Sequence, residues 1–178
     1  ILLIPYFNET KFLGTERYGF AMMFLSMGMV SGSILLSIKN MKREQKFRVF
    51  IFSLLACTSL FLLSMITNSY IVLVMCLFFS FFFNVIMNTI FSTTSMIVVP
   101  ANIRGKVMAI TSTISMGLAP IGQLIAGILG DLMPVRVVLI MAFSACFIVS
   151  LFYVKIKNLK KFIEYDSEHD KLEELMKI

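Results

Sequence analysis

Long stretches of this sequence carry no charge at all. No Asp, Glu, Lys or Arg lies between Arg17 and Lys39, between Arg48 and Arg104, between Lys106 and Asp131, or between Arg136 and Lys155, which leaves uncharged gaps of 21, 55, 24 and 18 residues. A membrane span needs roughly 20 apolar residues at about 1.5 Å of rise each, so the gaps have the size of spans. Histidine is nearly absent. The one His169 sits in a charged tail with no second His and no Cys beside it, which excludes a metal site of the usual donor types. The three cysteines, Cys57, Cys76 and Cys146, fall inside apolar runs and read as small buried hydrophobes rather than disulfide partners or metal ligands. Enzyme signatures are missing too: there is no His pair, no Ser–His arrangement within the apolar segments, no phosphate-binding loop and no nucleotide-binding segment. No ionisable side chain lies deep within any complete span. A proton relay needs such a group in the membrane, so a carboxylate for proton coupling is expected in residues outside this sequence.

What the chain does have is apolar mass. Hydrophobic residues make up 58% of it, against about 45–50% for a soluble domain, and the mean hydropathy of +0.90 agrees. The fold class expected is an all-α membrane protein, a helical bundle of transmembrane spans. Ile1 to about Phe7 is expected to be the outer end of a span, since the sequence shows no initiator Met and no signal-peptide pattern there. The spans that follow run over Tyr18–Ile38, Val49–Ile66, Tyr70–Val99, Val107–Gly130 and Val137–Val154. Thr67-Asn68-Ser69 breaks the longest gap as a polar turn. Loops are expected over Asn8–Arg17, Lys39–Arg48, Pro100–Lys106 and Asp131–Arg136. Residues 1–154 thus form a bundle, and 155–178 a tail that passes from basic to acidic at Glu164 and could end in a short helix over Lys171–Ile178.

Eleven Lys and Arg fall on one side of this threading and three (Lys11, Arg17, Arg136) on the other. Cytoplasmic loops carry the excess of cations, so the C-terminus is expected inside a cell membrane crossed several times. The net charge of +6 does not point to nucleic acid, because the cations cluster at span ends, where anionic headgroups attract them.

Three groups of residues could carry function. The first is small residues: Gly28 and Gly32 are four apart in one span, and Gly122, Ala126 and Gly130 form a ridge in another. In lipid, close backbone approach through small residues is one way helices associate, which also serves spans that rock against each other. The second is Gly117 with Pro120, whose ring removes a helical hydrogen bond and kinks the helix; Gln123, one turn on, is either a structural polar residue or a cavity-lining one. The third is a row over Asn84, Asn88, Ser92 and Ser95, extended one turn back by Phe81. Amides in hydrocarbon are costly unless paired, so the row faces either protein or a watery path. As a cavity wall, Asn84 and Asn88 supply hydrogen bonds and Phe81 an apolar surface; as structure, the same amides bond between helices.

The stretch Val99-Pro100-Ala101-Asn102-Ile103-Arg104-Gly105-Lys106-Val107, running into Gly117–Asp131, resembles the segment joining helices ten and eleven of major facilitator superfamily transporters, most nearly in the macrolide and siderophore efflux branch. Pro5-Tyr6-Phe7, then Tyr18-Gly19 leading to Gly28 and Gly32, is similar to the end of helix seven and all of helix eight. Lys106 stands where that branch has a second Arg, and the Lys39–Arg48 loop lacks the Asp of the better-known loop in the other half of such proteins. The resemblance implies the C-terminal six-helix half of a major facilitator fold, with an N-terminal half as partner. It places Arg104, Gly105 and Lys106 at a cytoplasmic gate and the Asn84 row on the cavity. The function implied is a secondary transporter exporting hydrophobic or amphipathic small molecules by alternating access, with protons as a candidate coupling ion and no cofactor. A metabolite uptake permease and a non-transporting membrane scaffold are the alternatives.

Overall fold

The computed structural model describes residues 2–9, 14–38 and 43–164. Expectations resting on Lys11, Lys39, Lys42, His169 or a Lys171–Ile178 helix lie outside the described residues. The chain forms α1 (Leu3–Glu9), α2 (Gly14–Ile38), α3 (Arg43–Ile66), α4 (Tyr70–Val98), α5 (Ala101–Leu132), α6 (Val135–Lys155) and α7 (Lys157–Ile163), with no strand among the described residues. Five of these, α2 to α6, are long and apolar enough to cross a membrane. Helix is what such segments must form, because lipid offers no partner for backbone N–H and C=O groups and a helix satisfies them internally. The result is an all-α bundle of membrane-spanning helices.

Helix α4 is central, packed between α2 and α3; α6 lies on α3, α1 touches α2 and α6, and α7 returns to α4 and α3. The α2–α4 contact is backbone-close. A Cβ placed on Gly32 would stand 2.7 Å from the Phe82 carbonyl oxygen, and one on Gly28 would run into the carbonyl of Phe78. Both pairs advance in the same direction, so α2 and α4 are parallel. Across α3 and α4 the pairing runs the other way: Phe61 meets Phe81 edge-on at 5.4 Å, Phe52 meets Phe83 at 5.5 Å, and Phe50 stacks near Phe91 at 6.4 Å. Three successive helices therefore thread alternately, as repeated membrane crossing requires.

Apolar cores occupy both ends of this bundle. One joins Tyr6, Phe7, Ala21, Met65, Leu73 and Val135; the other joins Phe50, Ile86, Ile90 and Ile163. Polar contacts link helices between them. Asn84 Nδ2 donates to Cys57 Sγ at 3.8 Å, and the hydroxyls of Thr58 and Ser150 lie 3.4 Å apart. At the first end, Arg136 near the start of α6 donates from Nε to the Met65 carbonyl at 2.8 Å and from Nη2 to the Ile66 carbonyl. These are last-turn carbonyls of α3, which have no partner within the helix. Beside them, Tyr70 donates its hydroxyl to the Arg17 carbonyl at 3.0 Å, and the Arg17 guanidinium lies over the Tyr70 ring at 5.3 Å.

The connections are shorter than the charge pattern suggests. The expected loop Pro100–Lys106 is helical from Ala101, and the expected turn Asp131–Arg136 narrows to Met133 and Pro134. Pro100 and Pro134 stand at the N-caps of α5 and α6, a place where a missing N–H costs nothing. Charged residues mark where lipid ends, and these helices continue past that boundary. The same holds for Arg43–Arg48, which opens α3, and for Gly14–Arg17, which opens α2.

Candidate functional site

The row on α4 divides into a packed part and an open part. Phe81 is half-buried against Phe61, whose other side stacks flat on Phe143 of α6 at 4.8 Å. Asn84 is half-buried and held to α3 through Cys57. One turn on, Asn88 is exposed, and its Nδ2 donates both to the Asn84 backbone carbonyl at 2.9 Å and to Asn84 Oδ1 at 3.0 Å. The two amides thus form a chain: Asn88 donates to Asn84, and Asn84 donates to the Cys57 thiol. Helical spacing makes this possible, because residues four apart stand one above the other. The Asn88 donor is occupied, while its side-chain oxygen accepts from no described residue. An unpaired amide oxygen on an apolar surface can take a hydrogen bond from a ligand donor.

Beyond Asn88 the row opens. Ser92 is exposed, as are Thr89 and Thr93 beside it, while Ser95 is half-buried and donates its hydroxyl to the Phe91 carbonyl at 2.8 Å. At this level the opposite side of the helix is closed: Ile86 and Ile90 are buried in the second core. Helix α4 therefore has a sealed face against α2, α3 and α7 and an open face carrying Asn88, Ser92 and Thr89.

The other sequence-picked residues lie on α5, whose principal neighbour is α6 and none of whose residues is buried. Gln123 is exposed there and is not brought against the amide pair. Arg104, Gly105 and Lys106 are exposed in its first two turns. The Arg104 guanidinium donates from Nε and Nη2 to the Val99 carbonyl, each at 3.3 Å. This binds a helix-end carbonyl of α4 and ties the α4–α5 corner together. Nothing lies within 4 Å of a Cβ built on Gly105, Gly117 or Gly122, whereas one on Gly130 would meet Leu2 Cδ2 at 3.3 Å. Pro120 is exposed inside the helix and Ala126 half-buried.

The family model described as transmembrane secretion effector, of the major facilitator type, matches residues 3–176. The chain belongs to that family. No curated protein and no solved structure matches it. Membership of a major facilitator family of secretion effectors makes the chain a multi-pass membrane protein of a transport class, in keeping with its five apolar helices.

Three further side chains shape the site without a clear signal in the sequence. Cys57 is buried, as expected of a small hydrophobe, and its sulfur, a weak acceptor, also takes the Asn84 amide. Phe61 carried no signal among eighteen phenylalanines, yet it joins Phe81 to α6. Arg136 counted only as an outside charge. A lone cation two residues after Pro134, in the first turn of α6, is the available clue.

Proposed function

We propose that this chain is the C-terminal six-helix half of a secondary transporter that exports small hydrophobic or amphipathic molecules by alternating access. The observation that carries the proposal is the open face of α4. It sets the free Asn88 oxygen and the Ser92 hydroxyl beside exposed apolar surface, while at that level the opposite side of the helix is buried through Ile86 and Ile90. A face of that kind suits a largely apolar molecule with one hydrogen-bond donor. The family description, secretion, favours outward movement. In this reading residues 1–154 are the bundle that rocks against an N-terminal half, and residues 155–178 a cytoplasmic tail in a cell membrane. Arg104, Gly105 and Lys106 act at the cytoplasmic corner, where Arg104 keeps α4 and α5 moving as one piece. Gln123 on α5 adds a second polar group to the cavity wall when the halves meet, and the small-residue ridge of Gly122, Ala126 and Gly130 gives α5 a smooth side along which a neighbouring helix slides. Asn84 is a positioning residue: bonded to Cys57 and to Asn88, it aims the Asn88 oxygen outward.

The test is thiol accessibility in membranes. Against a Cys146→Ser background, Asn88→Cys and Ser92→Cys should react with a charged, water-soluble thiol reagent, and an amphipathic substrate should slow the reaction. Ile86→Cys and Ile90→Cys should stay unreacted. Labelling at 86 and 90 with silence at 88 and 92 would remove the cavity assignment. In export assays, Asn88→Leu should lower transport of a donor-bearing amphipathic dye by about tenfold, the cost of one lost hydrogen bond in a dry site, and leave that of a donor-free dye unchanged.

A further inference from the structure

Two of the three cysteines, far apart in the chain, share one level of the bundle. Helices α3 and α6 run antiparallel, and three pairs fix their register. Arg136 bonds the Met65 carbonyl, Phe61 stacks on Phe143 at 4.8 Å, and the Thr58 and Ser150 hydroxyls lie 3.4 Å apart. Cys57 is one turn back from Phe61 on α3, and Cys146 is one turn on from Phe143 on α6. In an antiparallel pair those steps lead the same way, by four residues and by three, so the two levels differ by about 1.5 Å of helix rise. Cys146 also stands one turn before Ser150, on the side of α6 that meets α3. The two thiols are near enough to act on each other electrostatically. Thr and Ser at the contact let the backbones approach closely, as a disulfide requires.

The two sulfurs differ in their surroundings. Cys146, expected to be a buried hydrophobe, is exposed, whereas Cys57 is buried and accepts the Asn84 amide at 3.8 Å. Cys76 is buried on α4, eight residues before Asn84, which puts about 12 Å of helix rise between it and the level of the pair. Cys57 and Cys146 both lie well inside uncharged stretches, with no Lys, His or carboxylate near them along the chain. A thiol without a basic or cationic neighbour stays protonated and reacts slowly, so a water-borne oxidant has little hold on this pair. An apolar oxidant, which concentrates in lipid, reaches the exposed Cys146.

We infer that Cys57 and Cys146 are an oxidisable dithiol within the membrane, with Cys146 as the attacking thiol, Cys57 as the resolving one and an apolar organic hydroperoxide as the oxidant. The Cys146 sulfur attacks the terminal peroxide oxygen. The O–O bond breaks, the thiol proton passes to the departing alkoxide, and a sulfenic acid and an alcohol result. The Cys57 sulfur then attacks the sulfenic sulfur, the S–S bond forms, and the displaced hydroxide leaves as water with the Cys57 proton. Two thiols lose two electrons in all, and one hydroperoxide becomes one alcohol and one water. The new bond staples α3 to α6 and draws the Cys57 sulfur away from Asn84, so the Asn88–Asn84 chain loses its anchor on α3. The effect on transport rests on the cavity reading above; formation of the bond does not.

The experiment treats the full chain in membranes with cumene hydroperoxide, denatures it, alkylates the remaining thiols and maps its peptides without reduction. Wild type should yield a Cys57–Cys146 disulfide within one chain, reversed by dithiothreitol, with Cys76 alkylated. Hydrogen peroxide at the same concentration should form the bond several times more slowly. Cys57→Ser should stop at a Cys146 sulfenic acid that dimedone traps, and Cys146→Ser should leave Cys57 unmodified. Asn84→Ala, which frees Cys57 from its hydrogen bond, should speed bond formation by about threefold, with unchanged far-ultraviolet dichroism to show that the fold is kept. Absence of the linked peptide in wild type, disulfides to Cys76 or between chains, or a sulfenic acid on Cys57 in Cys146→Ser would each overturn the pair. Faster reaction with hydrogen peroxide would overturn the apolar oxidant, and an unchanged rate in Asn84→Ala the competition with the amide. No transport is read, so the outcome is separate from that of the export proposal.

Discussion

Gly28→Ala should lower the stability of the bundle by about 2–3 kcal/mol, the range for forcing extra volume into a packed contact. The physical reason is the nature of what the new methyl group meets. A Cβ there runs into the carbonyl of Phe78, which is backbone, and backbone in the middle of a 29-residue helix cannot swing aside as a side-chain tip can. Either α2 and α4 separate along their whole contact or the α4 helix distorts. Gly32→Ala should act in the same direction, since its Cβ would stand 2.7 Å from the Phe82 carbonyl oxygen. The contrast is Gly117→Ala. Nothing lies within 4 Å of that position, so the substitution should be neutral or stabilising by up to about 1 kcal/mol through helix propensity alone. Thermal unfolding midpoints of the purified chain in detergent decide the matter. A fall for Gly117→Ala matching that for Gly28→Ala would show that the α2–α4 approach is not what makes Gly28 necessary.

Arg136→Gln should cost about 2–3 kcal/mol, because it removes two charge-assisted bonds to carbonyls that no helical N–H can reach. Loss should be local before it is global. Backbone amides in the last turn of α3 should exchange with solvent faster in the variant, while those of α4 near Phe82 keep their protection. Arg136→Lys should recover less than half of the loss: an ammonium is one point of charge and cannot span the Met65 and Ile66 carbonyls as a guanidinium fork does. Full rescue by lysine would mean that charge near the helix end matters and the forked geometry does not.

Much of this architecture was readable from where charge is missing. The uncharged gaps place the five long helices, and the Thr67–Ser69 break falls between Ile66 and Tyr70 where α3 ends and α4 begins. Helix ends were less readable. Arg104 and Lys106 look like loop residues because they are charged, yet they lie within α5, and charge reports the edge of the hydrocarbon rather than the end of hydrogen bonding. The site was legible in part. A four-residue spacing is enough to stack Asn84 and Asn88 on one face. It cannot say that Asn84 turns to Cys57 while Asn88 remains open, because that depends on the register between α3 and α4, fixed by phenylalanine pairs distant in sequence. Gln123 shows the same limit from the other side. Its polarity leaves a structural and a cavity-lining role equally open, because its neighbours are set by how α5 sits, and in this chain α5 lies chiefly against α6. The return of α7 was hidden for a related reason: three apolar residues among lysines read as a tail until their partner surface on α3 and α4 exists.

The length of α5 has a mechanical consequence. Its 32 residues make a rod of about 48 Å, and the hydrocarbon layer is about 30 Å thick. Set upright, the rod leaves about a third of its length projecting; set fully within the layer, it must lean steeply. Arg104 fastens one tip to the end of α4, and the other tip runs past Leu2 to the Pro134 corner. With both tips tethered and none of its residues buried, α5 is anchored more at its ends than along its length.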